Sequence, residues 1–278
     1  MGECPYKCIY REIIIDFVLM KVVFIGAGNV ATHLTYIIKE AGHSILQVFS
    51  KTRESSEALA SKLQCECTTD YQEIRKDADI YIISVSDRAI DDVVGEIPMI
   101  NPDALWVHTS GSVSIDSIKC SRRGVLYPLQ TFSKQRELNS SDIPFFIESN
   151  NDEDLKLLND FASSISSNVQ ILDSEKRKYI HLAAVFCCNF VNHCCTLSSN
   201  ILEEKGIPFY MMLPLIDETI SKLHELSPSD AQTGPAVRFD KNIIDKHLSL
   251  LENDKDVQHI YSIMSKSIYD NHFDRSIN

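Results

Sequence analysis

The residues best placed to do chemistry sit in a tight turn between an apolar run and a helical pattern. Val22-Val23-Phe24-Ile25-Gly26-Ala27-Gly28-Asn29-Val30-Ala31 reads as a strand, a G-x-G-x-x-A turn and a helix start. Gly26 permits the turn, Gly28 leaves room for a phosphate against the backbone, and Ala31 lets helix and sheet pack closely. The first amides of the helix, from Asn29 and Val30 onward, are unpaired and carry the positive end of its dipole. The chemistry this implies is the binding of a dinucleotide pyrophosphate. A glycine turn that binds nothing shares the letters, but not the flanking strand–helix context.

The end of the next strand bears on which dinucleotide. An Asp or Glu there, about 20 residues on, bonds the ribose 2′-hydroxyl of NAD. Here the segment is Phe49-Ser50-Lys51-Thr52-Arg53, with no carboxylate. Lys51 and Arg53 would neutralise a 2′-phosphate, and Ser50 and Thr52 would donate to it, so NADP(H) is the expected cofactor. The same four residues also fit a solvated basic loop. Two further strand ends, Val85-Ser86-Asp87 and His108-Thr109-Ser110-Gly111, are expected beside the nicotinamide, because ligands bind outside the carboxyl ends of parallel strands. Either is also an ordinary turn, and Asp87 reads equally as an N-cap.

A second group lies on a long helical stretch. Lys178, His181, Cys188 and Asn192 fall near one stripe at 3.6-residue spacing, with Asn189 at its edge. His181 is suited to general acid or base work near neutral pH, and Asn189 or Asn192 to orienting a carbonyl or imine. Packed polar groups bonded to backbone give the same pattern. Arg238, in the loop Thr233-Gly234-Pro235-Ala236-Val237-Arg238, is a candidate for an anionic substrate group or the cofactor, a helix cap or a dimer contact. The His and Cys residues from His181 to Cys195 lack the spacing of a structural zinc motif, so no metal is expected.

Elements that must position these residues follow from periodicity. Strands are expected at Lys21–Gly26, Ser44–Ser50, Ile80–Val85, Leu105–Thr109, Val125–Leu126, Phe145–Glu148 and Val169–Leu172. Helices are expected at Asn29–Glu40, Glu54–Leu63, near Ala89–Val94, and at Asp152–Ser163. The alternation implies an α/β Rossmann domain with a doubly wound, mostly parallel sheet over residues 20–173. From 174 to 278 the pattern is helical, at Glu175–Lys205, Pro214–Glu225, Lys241–Leu251 and Val257–Tyr269, implying an all-α domain. Residues 1–19 read as an N-terminal extension.

Composition narrows the partners. The 278 residues are 44% hydrophobic and carry a net charge of -12, which disfavours nucleic acid. Nine Cys without framework spacing fit a reducing cytoplasm better than a secreted scaffold. No uninterrupted apolar run nears the ~20 residues of a membrane span, and Asp16 breaks the run from Ile13 to Met20, so neither membrane nor signal segment is expected.

On Val23–Leu34, His181–Asn192 and Leu226–Arg238, the chain resembles a bacterial family of Rossmann-like proteins whose C-terminal helical domain has no assigned function. The resemblance runs from about Met20 to Phe273. More distantly it is similar to the superfamily of pyrroline-5-carboxylate reductase, deazaflavin-dependent NADP oxidoreductase and 6-phosphogluconate dehydrogenase. That implies hydride transfer on a small molecule, a C-terminal domain of the 6-phosphogluconate dehydrogenase type that forms a homodimer, and an active site in the interdomain cleft. Related β-hydroxyacid dehydrogenases carry Lys and Asn four apart on the long helix. If Asn189 matches that Asn, Val185 stands at the Lys position, so their mechanism does not transfer intact. Tyr127-Pro128 resembles the His-Pro pair of prephenate-type dehydrogenases with Tyr in place of His, marking Tyr127 for the substrate. The expectation is an NADP(H)-dependent oxidoreductase, with a non-catalytic NADP(H)-binding sensor as the alternative.

Overall fold

The structure, a computed structural model, describes residues 18–97, 101–136 and 142–277. Residues 1–17, most of the expected extension, lie outside the described residues. The chain forms two compact units, Met1–Cys188 and Asn189–Asn278.

The first unit is an eight-stranded sheet in the order β3-β2-β1-β4-β5-β6-β7-β8. Its elements are β1 (Lys21–Ile25), α1 (Asn29–Glu40), β2 (Ser44–Phe49), α2 (Arg53–Leu63), β3 (Glu66–Thr68), β4 (Ile80–Ile83), α3 (Ile90–Glu96), β5 (Leu105–His108), β6 (Arg123–Pro128), β7 (Phe145–Ser149), α4 (Asp152–Ile165) and β8 (Val169–Ile171). All pairings are parallel except β6 with β7. The order reverses at β1, between β2 and β4, which is where a doubly wound sheet opens a crevice for ligands.

The strands are apolar throughout because both faces are covered. Val22 and Phe24 join Ile80, Ile82, Leu105 and Val107 under α1, α2 and α4. The alternate residues Val23 and Ile25 join Tyr81, Ile83 and Trp106 beneath α3. This is the period-2 pattern of a sheet buried on each side. The helix α1 ends at a C-cap Ala41, and Gly42 follows with φ +92°, the left-handed geometry expected after a helix. The strand β3 was not anticipated: it has three residues, too few to show a period.

After β8, Asp173 caps α5 (Ser174–Ala184) by accepting from the Lys176 amide. A π-helical turn, Val185–Phe190, then leads into α6 (Val191–Glu203). Thus the first unit extends past Asp173 and includes α5, whose Arg177 is buried.

The second unit holds α6, α7 (Leu213–Lys222), α8 (Lys241–Leu250) and α9 (Lys255–Ile277), the last longer than periodicity suggested. Ala236 is its only buried residue among those described. The helix Ser174–Glu203 also contains an 18-residue window of mean hydropathy 1.4, none of it buried within the chain. By length and composition it is long and apolar enough to cross a membrane. A search for uninterrupted runs misses it, since uncharged polar residues such as Asn189 and Asn192 break the run without adding charge.

Candidate active site

The carboxyl ends of β1, β2 and β4 enclose a cavity of about 540 Å³ lined by Gly26 to Val30, Phe49 to Lys51, Ser55, Ser84 to Ser86, Ala89, Val93 and Lys134. Gly26 has φ +123°, and a Cβ there would lie 2.2 Å from the Ser84 carbonyl oxygen, so only glycine fits. The Gly26 amide donates to Phe49 (2.8 Å) and the Ser84 amide to Ile25 (2.8 Å), tying three strand ends together. At Gly28 the opposite holds: nothing lies within 4 Å of where a Cβ would be, so the space is open to a ligand. Gly28 is the N-cap of α1 and no side chain caps that helix, leaving its first amides to face the cavity. Ala31 is fully buried against the sheet.

These features fit a dinucleotide. An apolar wall from Phe49, Val85 and Val93 suits an aromatic ring, and the uncapped amides suit a pyrophosphate. Among the described residues, no carboxylate lines the cavity, and the cations that do are Lys51 and Lys134.

At the β2 end the predicted residues divide. Ser50 and Lys51 line the cavity. Arg53 does not: it opens α2 on the exposed side and pairs with Glu57 one turn on (2.6 Å), which raises its pKa. The Thr52 hydroxyl donates to Ser55 (2.8 Å), and Ser55, absent from the sequence reading, reaches the cavity instead.

At the β4 end Val85 and Ser86 line the cavity. Asp87 is not an N-cap; Ser86 holds that position, and the Asp87 carboxylate accepts a short hydrogen bond from Ser112. His108, Ser110 and Gly111 do not line this cavity. His108 is fully buried: its Nδ1 accepts from the Ser110 amide (3.2 Å), which leaves Nε2–H to donate to the Ser114 carbonyl (3.3 Å). Burial first, and then the positive charge of Arg177, lower its pKa to about 4, so it stays neutral. The Ser110 hydroxyl accepts from the amides of Ser112 and Val113 and shapes the turn.

Gly111 belongs to a second cluster. Tyr127, at the end of β6, shares a 3.1 Å hydrogen bond with His181 Nδ1 on α5. A Cβ on Gly111 would come within 2.7 Å of the Tyr127 ring and 2.8 Å of His181 Nδ1, so the glycine lets the pair close over the β5 turn. Burial pushes the Tyr127 phenol up to about 12, keeping it protonated.

Arg177, which the sequence reading passed over, anchors the helix that carries His181. It is fully buried, pairs with Glu148 of β7 and donates to the Val113 carbonyl (2.5 Å) and the Ser174 hydroxyl (3.0 Å). Ser174 in turn donates to Glu148 (2.7 Å).

Lys178 does not join His181. It is exposed and pairs with Glu175 (2.5 Å), which raises its pKa. The π turn breaks the 3.6-residue spacing on which Asn189 and Asn192 were aligned with His181, and both are exposed residues of the second unit. Arg238 is also exposed there. Among the described residues, no group of three or more His, Cys, Asp or Glu side chains is arranged to hold a metal.

Comparison with known proteins places this geometry. Residues 21–110 match the family described as NADP oxidoreductase, coenzyme F420-dependent, and residues 143–268 match a domain of unknown function, DUF2520. A Bacteroides fragilis protein described provisionally as an NADP oxidoreductase is 45% identical, with 91% of this chain and 98% of that chain covered and a TM-score of 0.87. The 1-pyrroline-5-carboxylate reductase of Streptococcus pyogenes shares the fold at 14% identity, over 91% of this chain and 99% of that chain, with a TM-score of 0.59. A Bacillus subtilis glycerol-3-phosphate dehydrogenase [NAD(P)+] is 28% identical in an alignment 113 positions long that covers 36% of this chain and about a third (33%) of that enzyme's length. The chain is thus an oxidoreductase of the nicotinamide-dinucleotide type, and it belongs to the family of Rossmann-fold NADP oxidoreductases that end in a DUF2520 domain.

Proposed function

We propose that the protein is an NADP(H)-dependent oxidoreductase that reduces a small C=O or C=N compound, or oxidises the matching alcohol or amine, as a homodimer in the cytoplasm. The observation that carries the cofactor preference is the β2 end of the cavity. Ser50, Lys51 and Ser55 stand where a carboxylate would select NAD, and α2 starts beside them without a side-chain cap. Gly26, Gly28, Asn29 and Val30 would hold the pyrophosphate, with Ala31 packing α1 against the sheet behind them, and Val85 and Ser86 would flank the nicotinamide end. When bound, the nicotinamide supplies or accepts the hydride.

The chain's own contribution to the chemistry is the proton. His181 would hold or give it, and the buried, protonated Tyr127 phenol, donating to Nδ1, fixes the imidazole's orientation. The exposed Lys178 would serve only as a secondary contact to substrate. A sensor without catalysis is the less favoured reading, because the family matched over residues 21–110 is one of oxidoreductases.

Calorimetry tests the preference: NADPH is expected to bind at least about tenfold more tightly than NADH, and Lys51→Ala to erase the difference. Equal dissociation constants for the wild-type chain would end the NADP reading. NADPH oxidation against a panel of keto acids, aldehydes and imines tests the activity, and full turnover by His181→Ala would remove His181 from the mechanism.

A further inference from the structure

The segment after β6 crosses back to the nucleotide loop. The Asn29 side chain donates to the Phe132 carbonyl (3.1 Å), His33 Nε2 donates to the Ser133 carbonyl (2.9 Å), and the His33 and Phe132 rings lie 5.2 Å apart. Next in the chain, Lys134 donates through Nζ to the carbonyl of Ala27 (3.1 Å), inside the G-x-G-x-x-A turn, and lines the cavity.

We infer that Lys134 is a cofactor-binding residue that neutralises the pyrophosphate of the dinucleotide, delivered to the glycine turn by the strap Phe132–Lys134. This rests on the nicotinamide-dinucleotide reading of the cavity. Three observations carry it. Among the described residues, Lys134 and Lys51 are the charged ones lining the cavity, and they occupy different ends: Lys51 at the carboxyl end of β2, Lys134 against the turn. An ammonium has three donors and the Ala27 carbonyl takes one, leaving two for phosphate oxygens. The chain carries a net charge of -12, and a local cation offsets the repulsion that this field exerts on a pyrophosphate. Helix amides alone supply only about half an elementary charge.

The bond to Ala27 has a purely mechanical reading, as a tether for the strap, and the experiment separates the two. Dissociation constants for NADPH, NADH and 2′-AMP are measured on the full chain, for the wild type, Lys134→Ala, Lys134→Gln and Lys51→Ala, with thermal unfolding confirming that each variant is folded. The glutamine keeps a donor for Ala27 but no charge. Both Lys134 variants are expected to weaken NADPH and NADH by a similar factor, about tenfold, and to leave 2′-AMP, which has no pyrophosphate, unchanged. Lys51→Ala is expected to weaken NADPH and 2′-AMP but not NADH. The inference is overturned if Lys134→Gln binds as the wild type does, if the loss is confined to NADPH, or if 2′-AMP weakens equally. Failure of the wild-type chain to bind either dinucleotide would instead overturn the cofactor reading itself.

Discussion

His108 shows how burial turns a titratable side chain into a structural one. Its folded pKa of about 4 lies below the ordinary 6.5. Above pH 6.5 the ring is neutral in folded and unfolded chains alike, and pH has no effect through it. Between 6.5 and about 4 the unfolded chain takes up a proton that the folded chain refuses, so stability falls as pH falls. Below about 4 the loss is complete, at about 3 kcal/mol. Urea titrations from pH 7 to 4 should therefore show a steeper loss for the wild type than for His108→Gln; parallel curves would refute this. Individual residues were legible in the sequence when their chemistry was that of the backbone. Gly26 and Gly28 are examples, because an apolar run and a helix pattern bracket them. Lys134 was not, since it sits in an aperiodic loop about a hundred positions from the turn it touches. His108 was misplaced because its letter does not reveal which way the ring points.

Elements were legible wherever a period had room to repeat. The apolar strands and α1 and α4 fall where alternation and 3.6-residue spacing put them. The π turn at Val185–Phe190 was invisible to the same method, because assuming a helical period is what hides a break in it. So the stripe joining His181 to Asn192 was drawn across a change of phase. What fixes α5 is instead the ion pair of the fully buried Arg177 with the partly buried Glu148, which no spacing announces. Removing one partner strands a buried charge. Glu148→Ala should cost about 3–5 kcal/mol, read as a lower denaturant midpoint with the slope unchanged. A midpoint within error of the wild type would show the pair to be dispensable.

At the scale of the whole chain, the second unit presents apolar side chains with little to cover them. Tyr210, Met211, Leu215, Ile220, Leu223 and Leu250 are all exposed, and one described residue is buried. Surface of this kind marks an association face, and the proposed homodimer accounts for it through a second copy of the same helices. Sedimentation should give twice the 31.5 kDa chain mass, and the unfolding temperature should rise with protein concentration, because dissociation and unfolding are linked. A folded monomer at micromolar concentration would reject the proposal. Fold class was readable at this scale, from alternating strands and helices followed by helices alone. The covering of the second unit was not, since one chain's pattern shows which faces are apolar but not what meets them.

The reversal of β7 sets a distance. Because β7 runs against β6, Glu148 stands opposite Val125, and Phe146 opposite Tyr127. Two strand residues along β6, from Val125 to Tyr127, advance about 6.6 Å. Four helical residues along α5, from Arg177 to His181, advance about 6 Å. Strand and helix therefore work as two rulers of different graduation, zeroed at the Glu148–Arg177 pair and read at Tyr127 and His181. A single residue inserted in the strand would flip Tyr127 to the other face, and one inserted in the helix would turn His181 by about 100°, and either would put the hydroxyl and the imidazole out of each other's reach.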